Sequence, residues 1–488
     1  HEGYVTLELL FNEQSGCYGD CHGGRVLLTA FIVFGVLEES IVGLALVLSL
    51  PALMFIALIA IKSSNFRLYA FIGIGMLVMQ SESGWSAALK PAYFLMVALF
   101  GLISIRNTKY LHASTKAAFR PIFLGSGLLT VLIILYVVYS VLQGQAPSRV
   151  IRDAFTYVLV AVSPFIAADA ARETTTKNAR IFVAVATGLA ALSFSVFWLA
   201  VRQVSILGIE RILMFSMMLS GLGIIVGFVY GVSKLNAIWL GFGTLCLIAV
   251  LVTGTRSGLL LVLALVGAIG AKQKLRLPWT RVVPGLLLVV SGAYFLLPSL
   301  SARISTGNFL ETRMEALLQV IEGGIESDAS GQMRRRALEI SLTVWRENPL
   351  LGVGFGQAFQ SVRPGEPPVD FQLDSGMLLF AKFGIFGAVL VIGAIGVMLY
   401  GFLSFHKKTK VRSRAQTIAA SFSFMVLILA MLGVPMEDKG FAYSLCLITY
   451  LLAADNFVSL RRRDKLARLA NTESHSANNA QIEHASVG

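Results

Sequence analysis

The chain has 488 residues, 56% of them hydrophobic and only 14% charged, and carries a formal charge of +13 with a mean hydropathy of +0.75. A water-soluble fold cannot hide that much apolar surface, whereas a bilayer accepts it as solvent. The positive charge belongs to membrane topology and attraction to anionic headgroups, not to a nucleic-acid surface, because no basic soluble domain exists to carry one.

A helical span needs roughly 20 apolar residues, so most of the length is accounted for by spans. Apolar runs lie near 26–37, 41–61, 66–80, 91–106, 120–143, 154–169, 180–200, 211–232, 235–254, 257–271, 281–298, 376–404, 415–434 and 440–460. The expected fold is all-α: a polytopic transmembrane helix bundle of about 12–14 spans with one large, mostly helical periplasmic loop. Residues 26–37 are short for a span. The domain reading is a 1–25 N-terminal cytoplasmic segment, a 26–298 bundle, a 299–374 outer loop, C-terminal spans at 375–460 and a disordered cytoplasmic tail at 461–488.

Loop charge sets the orientation, since basic loops resist translocation. Alternate loops are basic, among them Arg106 to Arg120, Arg172 to Arg180, Lys272 to Arg281, Lys407 to Arg414 and Arg461 to Arg468. The intervening short loops hold isolated cations such as Lys90, Arg149, Arg152, Arg202 and Arg256. Both termini are therefore expected in the cytoplasm, with the 299–374 loop outside. The first 24 residues lack a basic n-region and do not read as a cleavable signal peptide. Cys17 and Cys21 beside His22 lack the second ligand pair that zinc requires, so no metal and no cofactor is expected.

Chemistry concentrates in and around the outer loop. Thr253-Gly254-Thr255-Arg256-Ser257-Gly258 joins two spans with almost no loop, which puts Arg256 at the outer membrane surface. A guanidinium there either snorkels to headgroups or binds an oxyanion, and phosphate suits its planar fork. Leu338, Leu342 and Trp345, with Ala337 and Ser341, recur at helical spacing before Asn348-Pro349. The predicted amphipathic helix carries Arg334, Arg335 and Arg336 to phosphate level on a membrane surface. Gly352, Gly354 and Gly356 then supply backbone that bends and approaches a ligand closely. No P-loop Lys-Ser or Lys-Thr follows them, which argues against a nucleotide. Asp374 opens the next apolar run either as a helix N-cap or as a functional carboxylate, with Asp370 four residues upstream. Lys382, two turns into that run, requires a partner or a wet cavity.

In order, Thr-Gly-Thr-Arg-Ser-Gly at 253–258, the arginines at 334–336, Pro-Leu-Leu-Gly-Val-Gly-Phe-Gly at 349–356 and Asp374-Ser375-Gly376 with Gly384-Ile385-Phe386-Gly387 resemble the O-antigen ligase/polymerase superfamily. The resemblance covers roughly residues 235–400. It implies glycosyl transfer from undecaprenyl-diphosphate-linked oligosaccharides at the outer, periplasmic face of a bacterial inner membrane. Ligases of this type carry a His-Asn pair about ten residues before the Gly-x-x-Gly turn; that position here is Leu373-Asp374. The loss of the histidine favours a polymerase of O-antigen or exopolysaccharide over a ligase. Arg336 and Gly352 also meet an Arg-x15-Gly spacing of the polymerases. The implied roles are Arg256, Arg334, Arg335, Arg336 and Lys382 on the diphosphate, and Asp374, or Asp370 in its place, on the acceptor hydroxyl. A chain-length regulator and a flippase are the expected protein partners. The alternatives are the ligase, which shares donor and fold, and a polysaccharide or lipid transporter.

Overall fold

The computed structural model describes residues 58–59, 62–78, 85–196, 217–232, 236–252, 329–362, 369–370, 373, 375–409, 413–432 and 440–460. Contacts divide the chain into His1–Ile59 and Ala60–Gly488, and the account below concerns the second unit. The protein is all-α. Five of the described helices are long and apolar enough to cross a membrane. Predicted spans 26–37, 257–271 and 281–298 lie outside the described residues, as does 41–61 except near its end.

In chain order the helices are α1 (Ser64–Val78), α2 (Trp85–Asn107), α3 (Ala113–Leu142), α4 (Pro147–Ala170), α5 (Thr176–Val196), α6 (Met217–Val232), α7 (Ala237–Val252), α8 (Ala329–Glu347), α9 (Leu378–Thr409) and α10 (Arg414–Leu432); α11 is Gly440–Leu460. Each agrees within several residues with an apolar run read from the sequence, apart from α8, which belongs to the 299–374 loop. A two-stranded antiparallel ribbon, unanticipated in that loop, joins β1 (Ala358–Phe359) to β2 (Val369–Asp370), with Ala358 opposite Asp370.

Two helices sit innermost. The apolar windows of α4 and α11 are 89% and 83% buried in protein. Hydrogen bonds across the bundle fix α11: Tyr93 and Tyr443 share one at 3.0 Å, Tyr450 donates to Thr174 at 2.9 Å, and Asn456 donates to Thr115 at 3.1 Å. On α3, by contrast, Leu124, Val131, Leu135 and Val138 are exposed. In a bilayer such a face meets lipid, where apolar exposure carries no penalty.

The most extensive helix pairing is α3 with α9. Small residues make it possible: a side chain at Gly125 would strike the Ala394 carbonyl and Met398, and one at Gly401 would strike Ile122. Van der Waals contact at such close approach drives association where lipid offers no hydrophobic gain. The α3–α4 turn is closed by Gly144 at φ +83°. Its N–H donates to Val141 O at 3.0 Å and that of Gln145 to Ser140 O at 3.1 Å, the Schellman arrangement that satisfies terminal carbonyls. Pro147 then starts α4 at a position where no N–H is needed.

Candidate active site

The site is organised by a break in α9. Gly384 has φ +62° and ψ −173°, a conformation essentially restricted to glycine. Within a regular helix the N–H groups of Ile385 and Phe386 would bond the carbonyls of Ala381 and Lys382. The break frees all four groups inside an apolar span, where unsatisfied backbone is costly. The segment from Pro349 to Gly354 satisfies them. Val353 and Gly354 donate to the Ala381 and Lys382 carbonyls at 3.0 and 2.8 Å, while Ile385 and Phe386 donate to Pro349 and Leu350 at 2.9 and 3.4 Å.

This exchange explains the glycine pattern. Gly352, Gly354 and Gly356 have φ values of +69°, +78° and +83°. A Cβ at Gly352 would run into the backbone of Lys382 and Gly384. The glycine pentad is thus the backbone plug of a broken span.

The C-terminal turn of α3 clamps the plug from the other side. Tyr136 donates to Phe383 O at 2.6 Å and Tyr139 to Gly352 O at 3.1 Å. Ser140 Oγ accepts from the Phe355 N–H at 2.7 Å and donates to Tyr136 O at 2.6 Å.

Asp153, in the first turns of α4, completes the arrangement. Its Oδ2 accepts from the Gly356 N–H at 3.0 Å, and its Oδ1 from Lys382 Nζ at 2.8 Å. The side chains are 2% and 0% exposed. Tyr157, Phe355 and Phe383 surround the pair, with ring centroids 5.2 to 5.5 Å apart, and Lys382 Nζ lies 5.9 Å from the Tyr157 centroid. A dry aromatic shell strengthens the attraction between the charges and makes loss of either one costly. Lys382 was expected to face a diphosphate. Its ammonium instead faces Asp153 inside the protein, because a carboxylate within hydrogen-bond reach is the partner that a buried Lys demands.

The arginine helix packs beside this break. Ala337, Phe359, Leu373, Leu378 and Ala381 form a small core, against which Ile340, Val344, Val353 and Val362 pack. The buried face of α8 is therefore Ala337, Ile340, Ser341 and Val344. Leu338, part of the expected apolar stripe, is 41% exposed. Of the triplet, Arg334 is half-buried and the other two are exposed. Arg335 pairs with Glu339 at 3.2 Å, and Arg336 donates to Val362 O at 3.3 Å, holding the segment that follows β1.

One core thus brings together α8, the ribbon bearing Asp370, and the entrance to α9. Arg256 and Asp374 lie outside the described residues; α7 runs to Val252 and α9 opens at Leu378. Leu373, at the position of the ligases' histidine, is 6% exposed and part of the core. The plug's tip is apolar and open: Leu350, Leu351, Ile385 and Phe386 are 57%, 51%, 42% and 60% exposed. Exposed Arg346 lies in the last turn of α8, just before that tip.

Sequence reasoning missed Asp153, Tyr136, Tyr139 and Ser140. The available signal was Lys382 itself, since an intramembrane cation calls for an anion near the same depth. Asp153 heads a span on the same predicted side. Among the described residues no group of His, Cys, Asp and Glu could hold a metal ion.

Comparison with known proteins matches no curated sequence. A protein-family model described as O-antigen ligase matches residues 241–392, which reach from α7 through α8, the glycine plug and the break in α9. That match is consistent with a member of the O-antigen ligase/polymerase superfamily, a group of glycan-transferring membrane enzymes.

Proposed function

We propose that this protein is a polysaccharide polymerase, which joins undecaprenyl-diphosphate-linked repeat units at the outer face of the inner membrane. The observation that carries the reading is the plugged break in α9. It sets a rigid apolar tip, open to lipid, beside a helix that bears Arg334, Arg335, Arg336 and Arg346. A polyprenyl tail suits the first surface and a diphosphate the second.

The donor's own anomeric diphosphate bond supplies the driving force. The acceptor hydroxyl attacks the anomeric carbon as the bond to the diphosphate oxygen breaks, and undecaprenyl diphosphate leaves with that electron pair. Asp374, or Asp370, takes the hydroxyl proton. Arg256 and the α8 arginines stabilise charge gathering on the leaving group, an effect strongest where water is scarce. In this reading Lys382 holds the plug through Asp153 and does not touch the donor. A single displacement inverts the anomeric configuration.

The ligase is the second reading, favoured by the description of the matching family model. Leu373 weighs against it, since an apolar core residue cannot accept a proton. Complementation separates the two. Restored polymer length in a polymerase-deficient strain supports the proposal, and restored attachment to lipid A-core in a ligase-deficient strain refutes it. With purified protein and lipid-linked oligosaccharide, Arg256→Ala is expected to abolish donor turnover and Arg256→Lys to recover little, because the fork is lost. Unchanged turnover in Arg256→Ala would remove that residue from the mechanism.

A further inference from the structure

A second cationic cluster lies at the other end of the bundle, the end that basic-loop bias assigns to the cytoplasm. It is built from the start of α5, the end of α6, the start of α7, the start of α10 and the end of α11. Its centre is Tyr230, 3% exposed. The Arg180 guanidinium carbon lies 4.8 Å from the Tyr230 ring centroid and that of Arg414 lies 5.7 Å from it. Trp239 packs on the same ring at 5.1 Å. Asn236 fixes the start of α7, its Oδ1 accepting from the Ile238 and Trp239 N–H groups at 3.0 and 3.4 Å.

One observation leaves this cluster incomplete, although Asp455, on α11, is near enough for its charge to reach the Tyr230 phenol. The Arg180 Nε is buried and makes no hydrogen bond among the described residues. A π face attracts a cation weakly compared with a full anion. Like charges sharing one ring, with a buried donor unsatisfied, call for an oxyanion. Tyr and Trp at the end of a bundle mark headgroup depth, and Ile238, 81% exposed beside Trp239, offers apolar surface to an acyl chain.

We propose that Arg180 and Arg414, seated on Tyr230 and Trp239, bind the phosphate of an anionic membrane phospholipid on the face opposite the glycine plug. The site is independent of the polymerase reading.

The test uses the full chain in nanodiscs of phosphatidylcholine, alone or mixed with phosphatidylglycerol, reading the thermal unfolding midpoint and the lipid retained in native mass spectrometry. Phosphatidylglycerol is expected to raise the wild-type midpoint by several degrees and to be retained. The pair Arg180→Gln and Arg414→Gln should lose both effects, while Lys177→Gln, an exposed cation near Arg180, keeps them. Arg180→Lys and Arg414→Lys preserve charge and guard against misfolding; each should lose most of the increment because the fork is gone. An equal rise in the double variant overturns the site. An equal rise with inorganic phosphate in pure phosphatidylcholine overturns the lipid as its source.

Discussion

Replacing one member of the Asp153–Lys382 pair tests whether the plug is locked by charge. The two groups meet at 2.8 Å with side chains 2% and 0% exposed. Lys382→Met keeps most of the volume and leaves a buried carboxylate that still accepts from the Gly356 N–H. Asp153→Asn still accepts from Gly356 but removes the negative charge that the ammonium faces. Breaking a buried pair costs about 3–5 kcal/mol, because one charge remains in low dielectric. At about 1.4 kcal/mol per tenfold, either variant should lower the folded-to-unfolded ratio by two to three and a half powers of ten. The double variant, Asp153→Asn with Lys382→Met, carries no buried charge and should recover most of that loss. Trp345, which contacts Phe380 one turn before the break at a centroid distance of 6.2 Å, gives a fluorescence probe for denaturant unfolding in mixed micelles. The reasoning fails if either single variant costs less than about 1 kcal/mol, or if the double costs the sum of the two. Donor turnover gives a second reading: a double variant that folds and still turns over donor leaves Lys382 a positioning residue. One that folds but is inert returns it to the diphosphate.

The remaining expectations use the same preparation. Gly384→Ala forces a side chain against the Leu350 carbonyl and the Leu351 amide at a φ that L-residues avoid, and should cost at least about 2 kcal/mol in denaturant unfolding. Its control is Gly396→Ala in the same helix, where a Cβ meets nothing within 4 Å; that change should be neutral or stabilising by about 0.5–1 kcal/mol. Ser140→Ala leaves the buried Phe355 N–H without its acceptor and should cost about 1–3 kcal/mol, accompanied by faster amide exchange at Phe355. Arg335→Gln breaks an exposed pair with Glu339 and should change stability by less than about 0.5 kcal/mol. If Arg335 meets the diphosphate, donor KM or kcat changes all the same, whereas Glu339→Gln leaves both near wild type.

Helix positions were legible because a bilayer turns hydropathy directly into spans. The apolar run at 440–460 coincides with α11, and those at 120–143 and 154–169 share the C-terminal ends of α3 and α4 but miss their polar first two turns. The end of α8 was legible too, because Asn348-Pro349 stops a helix by removing a donor and blocking the preceding residue. The inward face of α8 was not. Leu338, Leu342 and Trp345 form the larger stripe, but α8 buries the smaller Ala337 and Ser341 against α9. Close packing on another helix selects small side chains, while a large apolar residue beside lipid loses nothing by exposure. Hydropathy alone cannot separate those two destinations.

The partner of Lys382 illustrates the same limit more sharply. Asp370 is nearer in sequence, yet the ammonium pairs with an aspartate from α4. That choice follows from the break in α9. Opening the helix at Gly384 exposes carbonyls that need donors, so the glycine plug must enter, and the plug's last amide, at Gly356, is satisfied by Asp153. A carboxylate drawn into an apolar interior to accept one N–H then needs a cation, and Lys382 stands two residues before the kink. The two glycine motifs and the ion pair are therefore one device with a single origin. The family match ends the device at residues 241–392, whereas its anion and its hydroxyl clamps come from α3 and α4. Grafting residues 241–392 into another chain that the same family model matches, without Asp153, Tyr136 and Ser140, should yield a protein that inserts but does not hold the plug. A protease site placed at Gln357 would detect this as rapid cleavage, and cleavage as slow as in the parent would show that the matched region folds its own site.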